Sequence, residues 1–134
     1  MTNFLLDTDT ASRLLLAERG TVNVMRKSGA TSMSISVVTQ SELLFGAHLR
    51  LDRPAIMAAV RGFLARMTVH PWDIDVAEVH ARLRATAKTS GRSAGAFDLM
   101  IAAHARALGV TLVTSDKAIK SLQVDGLKIA DWKK

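Results

Sequence analysis

Thr111-Leu112-Val113-Thr114-Ser115-Asp116 is a short apolar run closed by two hydroxyl residues and a single acid. A run this brief, bounded by Gly109 on one side and polar residues on the other, reads as a buried strand. Upstream, roughly Phe97–Leu108 carries the pattern of a helix, and Gly109 ends it. Downstream, Lys117 to about Leu122 reads as a second, short helix. Helix, buried strand, helix is the repeating unit of an α/β protein, so the fold turns on whether the unit recurs.

It recurs along the chain. Phe4-Leu5-Leu6 is another short apolar run, closed by Asp7, and gives a first strand at Asn3–Leu6. A helix follows near Thr10–Ala17, with Thr8, Asp9 or Thr10 as the candidate N-cap. A second helix over Val22–Lys27 stops at Ser28-Gly29. The alternation Met33-Ser34-Ile35-Ser36 predicts a strand, and the helix after it carries Glu42. Pro54 suits the first turn of a helix running to about Met67, because its missing N–H costs nothing there. Val69 begins a short strand that Pro71 closes. Val76, Val79, His80, Leu83 and Ala87 recur at helical spacing up to Thr89-Ser90-Gly91, and a weak strand is expected near Leu127–Ile129.

Strands alternating with helices imply right-handed crossovers and a mainly parallel sheet covered on both faces. Sites in such sheets form at the carboxyl ends of the strands, where strand order reverses. Asp7 and Asp116 fall on that edge. No linker, repeat or low-complexity tract interrupts the pattern, so residues 1–134 are expected to form a single domain.

The composition narrows the function. A hydrophobic content of 49% over 134 residues fills one core. No apolar stretch approaches the roughly 20 residues that span a bilayer, and Met1–Asp7 lacks the basic leader and apolar core of a signal peptide. Without cysteine, disulfides and thiolate metal sites are excluded. A cytoplasmic location, with no membrane partner, is the default expectation. The chain has 18 Lys and Arg against 12 Asp and Glu, a formal charge of +6. Such a surface attracts phosphate backbones, although many basic proteins never meet nucleic acid. Four Phe, two Trp and no Tyr leave no base-stacking platform, so recognition would rest on backbone charge and shape.

Four acids stand where acids are awkward: Asp7, Glu42, Asp98 and Asp116. From Val79 to Lys120 the only acids among seven basic residues are Asp98 and Asp116. Each has an ordinary reading. Asp7 and Asp116 suit helix N-caps, and Asp98 suits the first turn of its helix, where the macrodipole favours a negative charge by about 0.3–1 kcal/mol. Glu42 is harder to dismiss, because its helix is apolar nearly all round, with Val38 and Phe45 at i−4 and i+3 on its face. A carboxylate buried there needs a cation or several donors, and no Lys or Arg occurs between Lys27 and Arg50. Convergent carboxylates without cysteine suit Mg²⁺ or Mn²⁺ far better than zinc. His48, His70, His80 and His104 are dispersed and read as surface or core residues. No GxxxxGK phosphate loop or GxSxG element is present.

Taken in order, Leu5-Leu6-Asp7-Thr8-Asp9-Thr10, Ile35–Ala47, Phe97–Ala105, Leu112–Asp116 and Val124–Trp132 resemble PIN-domain ribonucleases, and within them the toxins of VapBC toxin–antitoxin pairs. The resemblance covers nearly the whole chain. It implies a three-layer α/β/α sandwich around a small, mainly parallel sheet. It also implies catalytic and metal-binding roles for Asp7, Glu42, Asp98 and Asp116, with Thr114 or Ser115 positioning the last acid. Asp9 stands where relatives usually carry Asn, and Lys117–Leu122 lacks the Arg-Glu-Phe element many relatives show. By implication the chain is an Mg²⁺- or Mn²⁺-dependent endoribonuclease toxin acting on structured RNA, with tRNA one candidate. A cognate antitoxin and a homodimer are implied with it. Arg82, Arg84, Lys88, Arg92 and Lys117 are candidates for holding the RNA backbone.

Two other classes remain open at this point. The run Asp7-Thr8-Asp9-Thr10 also resembles the start of haloacid-dehalogenase-type phosphatases, with Asp7 as nucleophile and Asp9 as acid–base. That reading leaves Glu42 unexplained and finds no later Lys followed by an Asp-Asp pair. The other alternative is a basic RNA-binding module without catalysis, whose binding would persist without metal.

Overall fold

A computed structural model describes residues 3–30 and 32–133. The described chain runs β1 (Asn3–Leu6), α1 (Thr8–Leu15), α2 (Arg19–Lys27), β2 (Ser32–Ser36), α3 (Val37–His48), α4 (Pro54–Arg66), β3 (Thr68–His70), α5 (Ile74–Thr89), α6 (Ala96–Leu108), β4 (Thr111–Val113), α7 (Lys117–Ser121) and β5 (Ile129–Ala130). The five strands form one sheet in the order β3-β2-β1-β4-β5, and every pairing is parallel.

Side-chain alternation divides the core into two layers. Phe4, Leu6, Ile35 and Val113 project to one face, against Leu43 and Ala47 of α3, Val60 of α4 and Trp132. Leu5 and Leu112 project to the other, against Leu83 and Ala87 of α5, Leu99 and Ile101 of α6 and Ile119 of α7. Both faces of β1 are therefore covered, which is why its sequence is continuously apolar rather than alternating. Full burial of a residue such as Leu5, Leu6 or Leu112 contributes about 1.5–3 kcal/mol. Trp132 closes the first layer, its ring meeting Phe4 edge-on at 5.2 Å. Ala102, Ala103 and Ala105 are fully buried, and their small side chains let α6 lie close to the sheet.

The α/β/α sandwich matches the expected architecture, and the sheet is wholly parallel. The boundaries shift at the ends. The first helix begins at Thr8 with Asp7 as its cap, two residues before the expected start. The last strand is Ile129–Ala130, because it pairs in register with Leu112 and Val113. Among the described residues no helix is long and apolar enough to cross a membrane.

Strand order places the site. The chain steps outward from β1 to β2 to β3, then returns to the opposite side of β1 as β4. The connections leaving β1 and β4 therefore diverge, and the crevice between their carboxyl ends is the switch point of the sheet.

Candidate active site: a carboxylate cluster at the switch point

Asp7 and Asp116 leave the carboxyl ends of the two adjacent strands. Asp7 is buried, its N–H donates to Val113 O at 3.0 Å, and its Oδ1 accepts from Thr10 N at 2.8 Å. Asp116 repeats the device on β4: its Oδ1 accepts from Ile119 N at 2.9 Å, capping α7. Both acids are thus helix caps, as their ordinary reading holds. In each, however, the cap uses one oxygen: Asp7 Oδ2 has no donor among the described residues, and the Asp116 carboxylate also meets the carboxyl of Asp98. The buried Thr114 fixes the turn, since its Oγ1 accepts from Asp116 N at 3.0 Å. Ser115 turns away and donates to Asp131 at 2.6 Å. Of the two hydroxyls, Thr114 is the one that positions the acid.

Asp98 enters from the first turn of α6. Gly95 precedes that helix with no side-chain cap, and a Cβ there would stand 2.7 Å from Asp98 Oδ2. The missing side chain at Gly95 thus leaves room for the carboxylate. The Asp98 carboxyl is pushed up to about 6, first by burial, then by the charges of Asp116 and Asp7, by a hydrogen bond to Asp116 and last by the charge of Glu42. Four acids from four parts of the chain therefore meet in one electrostatic neighbourhood, and like-charge crowding raises the pKa of one member. Among the described residues none of the four is ion-paired with Lys or Arg.

Glu42 differs from its expected setting. It is half-buried at the surface of α3, and Phe45, expected on the same buried face, is 64% exposed. Its donor is a hydroxyl that the sequence did not suggest: Thr8 Oγ1 donates to Glu42 Oε1 at 2.6 Å and lies 3.2 Å from Thr39 Oγ1. The contact spans 34 residues and ties α1 to α3 beside Asp7. Asp9, one residue on, is exposed and ion-paired with Arg13 on its own helix. An acid–base partner for Asp7 at that position is therefore missing, which removes the geometric basis of the phosphatase reading.

The donor chemistry fits a hard divalent cation: carboxylate oxygens only, at a focus of negative charge, without thiolate or imidazole. The side chains do not yet form a coordination cage. Among the described residues no group of three or more His, Cys, Asp or Glu is arranged to hold a metal ion. Reorienting the carboxylates, Oδ2 of Asp7 and Asp116 among them, is what loading would require.

Three of the dispersed histidines do assemble. His104 is wholly buried, and its Nδ1 lies 2.8 Å from Ser36 Oγ, the atom that caps α3 through Val38 N. Its ring meets Trp72 at 5.7 Å and His70 at 6.1 Å, and Trp72 meets His80 at 5.5 Å. Burial and then His70 depress the His104 pKa, only partly opposed by Asp73 and the Pro71 carbonyl. This cluster joins the helix bearing Asp98 to the cap of the helix bearing Glu42. No local spacing could have revealed it.

Residues 4–124 match the family model described as PIN domain. The chain is 33% identical over 132 residues to a protein of Shigella flexneri named tRNA(fMet)-specific endonuclease VapC, covering 98% of this chain and 99% of that one. A protein of the same name from Salmonella typhimurium is 30% identical, with the same coverage. The fold is similar to that in the crystal structure of DNA-bound VapBC from Salmonella typhimurium, with a TM-score of 0.86, 30% identity and coverage of 98% and 99%.

Proposed function

The chain belongs to the PIN domain family, and from that premise we propose that it is an endoribonuclease toxin of the VapC type, kept silent by a cognate antitoxin. The observation that carries the reading is the meeting of Asp7, Glu42, Asp98 and Asp116 at the β1/β4 switch point, where burial and the three neighbouring acids together raise the pKa of Asp98. Relatives of nearly full coverage are named as tRNA-specific endonucleases, which makes structured RNA, and tRNA in particular, the substrate to test first. Residues 1–134 act in this reading as one nuclease domain.

The carboxylates are the sites of Mg²⁺ or Mn²⁺ binding in this proposal. Such a cation, when bound, neutralises developing phosphate charge and acidifies water for attack on the phosphodiester. The protein's own contribution is positional. Asp7 and Asp116 are fixed by the helices they cap, Thr114 fixes the Asp116 turn, and the Thr8 hydroxyl holds Glu42. Asp98, whose carboxyl is raised by burial and by its neighbours, would join the ligands in its ionised form.

The partners have support of their own. Beside Glu42 an apolar groove of about 200 Å³ runs between α1, α3 and α4, lined by Leu15, Leu43 and Ile56 and flanked by Leu16, which is 76% exposed. That groove suits an apolar antitoxin segment able to cover the acids. Val38, Trp72, Phe97 and Met100 line a second apolar depression, the face proposed for a homodimer.

The test is incubation of total tRNA with the purified protein in Mg²⁺ or Mn²⁺ and in EDTA, beside Asp7→Ala and Glu42→Ala. Fragments are expected only with metal, and each variant should lose at least a hundredfold in rate. Full cleavage in excess EDTA, or by an Asp7→Ala preparation free of wild type, overturns the proposal.

A further inference from the structure

A cavity of about 420 Å³ lies between α5 and the α7–β5 connection. Its floor is apolar, built from Val79, Leu83, Leu122 and Val124, and two guanidinium groups, Arg82 and Arg106, stand in its wall. Arg106 is held in place. Its Nε donates to Asp125 O at 2.8 Å, and a Cβ at Gly126 would lie 2.7, 2.8 and 2.9 Å from its Nε, Cζ and Nη2. The guanidinium therefore rests against bare backbone that only glycine provides. In the loop carrying these contacts Gly126 has φ of +78°, which glycine adopts freely, and Gln123, a non-glycine, is held at φ of 49°. Strain of this kind persists where the surroundings over-determine it, and it clusters at ligand clamps.

Pinning Arg106 through Nε leaves both Nη groups without a partner among the described residues. Arg82 and the Asp125 carboxylate are likewise in no ion pair there. Two cations and one acid line the cavity. Two free N–H groups on one fixed plane match the oxygens of a phosphate bidentately, at lower ordering cost than a mobile side chain. The apolar floor alongside suits a base or ribose. Asp116 caps the start of α7 and Leu122 follows its end, so cavity and carboxylate cluster lie roughly 9 Å apart along the helix axis.

We propose that this cavity is a second nucleotide-binding site, in which Arg106 and Arg82 take a phosphate of the RNA strand away from the cleavage site. The idea rests on the RNA-cleaving reading for its biological sense, but binding tests it without cleavage. A labelled RNA 12-mer is titrated against wild type, Arg82→Gln, Arg106→Gln and Arg106→Lys in EDTA at several salt concentrations. Melting curves confirm that each variant is folded, and Arg82→Gln, which leaves the Arg106 anchor intact, keeps the test alive if Arg106→Gln is not. We expect about tenfold weaker binding for either Gln variant and a salt slope shallower by about one phosphate contact. Arg106→Lys should recover only part of the loss. Wild-type affinity and slope in folded Arg82→Gln and Arg106→Gln overturn the proposal. Competition with AMP and inorganic phosphate, at matched ionic strength, separates the sources. RNA should compete more than tenfold better than AMP, and AMP better than phosphate, with shifts at Gln123 and Gly126. Phosphate competing as well as AMP refutes a nucleotide site, and AMP competing as well as RNA refutes the strand assignment. If wild type binds RNA through this cavity yet cuts none with metal, the nuclease reading fails and the cavity stands.

Discussion

Replacing Asp98 with Asn tests the carboxylate cluster through stability alone. The Asp98 carboxyl sits at about 6 rather than the ordinary 3.8, raised by burial and by Asp116, Asp7 and Glu42. About two pKa units at about 1.4 kcal/mol each is about 3 kcal/mol. Asp98 is only half-buried, and solvent screening reduces this to about 1.5 kcal/mol. The sign follows from linkage. A carboxyl whose folded pKa is raised binds its proton more tightly in the folded state, so stability falls as pH rises from about 4 through 6 and stays lost above it. Asn removes that penalty. It also removes a first-turn negative charge, which costs about 0.3–1 kcal/mol. Relief of burial and repulsion together is the larger effect.

The expected result in EDTA at pH 7.5 is therefore an Asp98→Asn protein about 1 kcal/mol more stable than wild type, melting about 3–5 °C higher. At pH 2.5, below both the ordinary 3.8 and the raised value, the acid is protonated in both states and the difference should vanish. Adding Mg²⁺ or Mn²⁺ at pH 7.5 should reverse the order, because a ligand held at 100 times its Kd stabilises the folded state by about 2.7 kcal/mol, and the variant lacks one carboxylate. Thermal melts of both proteins, at two pH values and with or without metal, provide the assay. If Asp98→Asn melts below wild type in EDTA at pH 7.5 and both respond equally to metal, the four acids are independent helix-end residues and the cluster is refuted.

Two further substitutions probe what holds the site. His104→Ala should cost about 2–4 kcal/mol in urea unfolding, from a buried void and a Ser36 hydroxyl left without its imidazole partner. Because the His104 pKa is lowered, the wild type should lose stability as pH falls below about 6.5. The variant should lose less, keeping the dependence from His80, which burial and Arg84 also depress. An unchanged pH profile in folded His104→Ala would contradict the buried neutral imidazole. Thr8→Val keeps the shape and removes the donor to Glu42, so single-turnover cleavage should slow about tenfold while stability changes by less than about 1 kcal/mol. Thr8→Ser should restore the rate, and a Thr8→Val enzyme as fast as wild type would detach Thr8 from Glu42.

What could be read from the chain divides along a physical line. Phe4-Leu5-Leu6 and Leu112-Val113 announce central strands because both faces of the sheet are covered, a demand each residue meets locally. Gly109 marks the end of α6 through its own φ of 70°. The contacts that finish the site are not local. Thr8 reaches Glu42 across 34 residues and His104 reaches Ser36 across 68, and no periodicity encodes either. Phe45 was misplaced for a related reason. A helix apolar nearly all round gives no phase, so the buried side of α3 is decided by what packs on it, which here is the Leu43–Ala47 side.

The four acids show why weighing a cap against a ligand sets up a false choice. An N-cap side chain accepts one hydrogen bond from the helix it starts, and a carboxylate has a second oxygen. Asp7 and Asp116 spend Oδ1 on Thr10 N and Ile119 N, and that bond fixes the direction in which Oδ2 points. Because β1 and β4 are adjacent and parallel, the two caps stand side by side at the switch point. Asp98, by contrast, caps nothing, and burial together with the crowding of its neighbours raises its pKa. Capping is thus the means by which a small fold holds unpaired carboxylates ready at one edge. Exchanging one cap for another by Asp7→Ser would preserve the helix start and remove the charge. Such a variant should fold normally and lose metal-dependent stabilisation, and one that still gains as much from Mg²⁺ as wild type would show that Asp7 is a cap and nothing more.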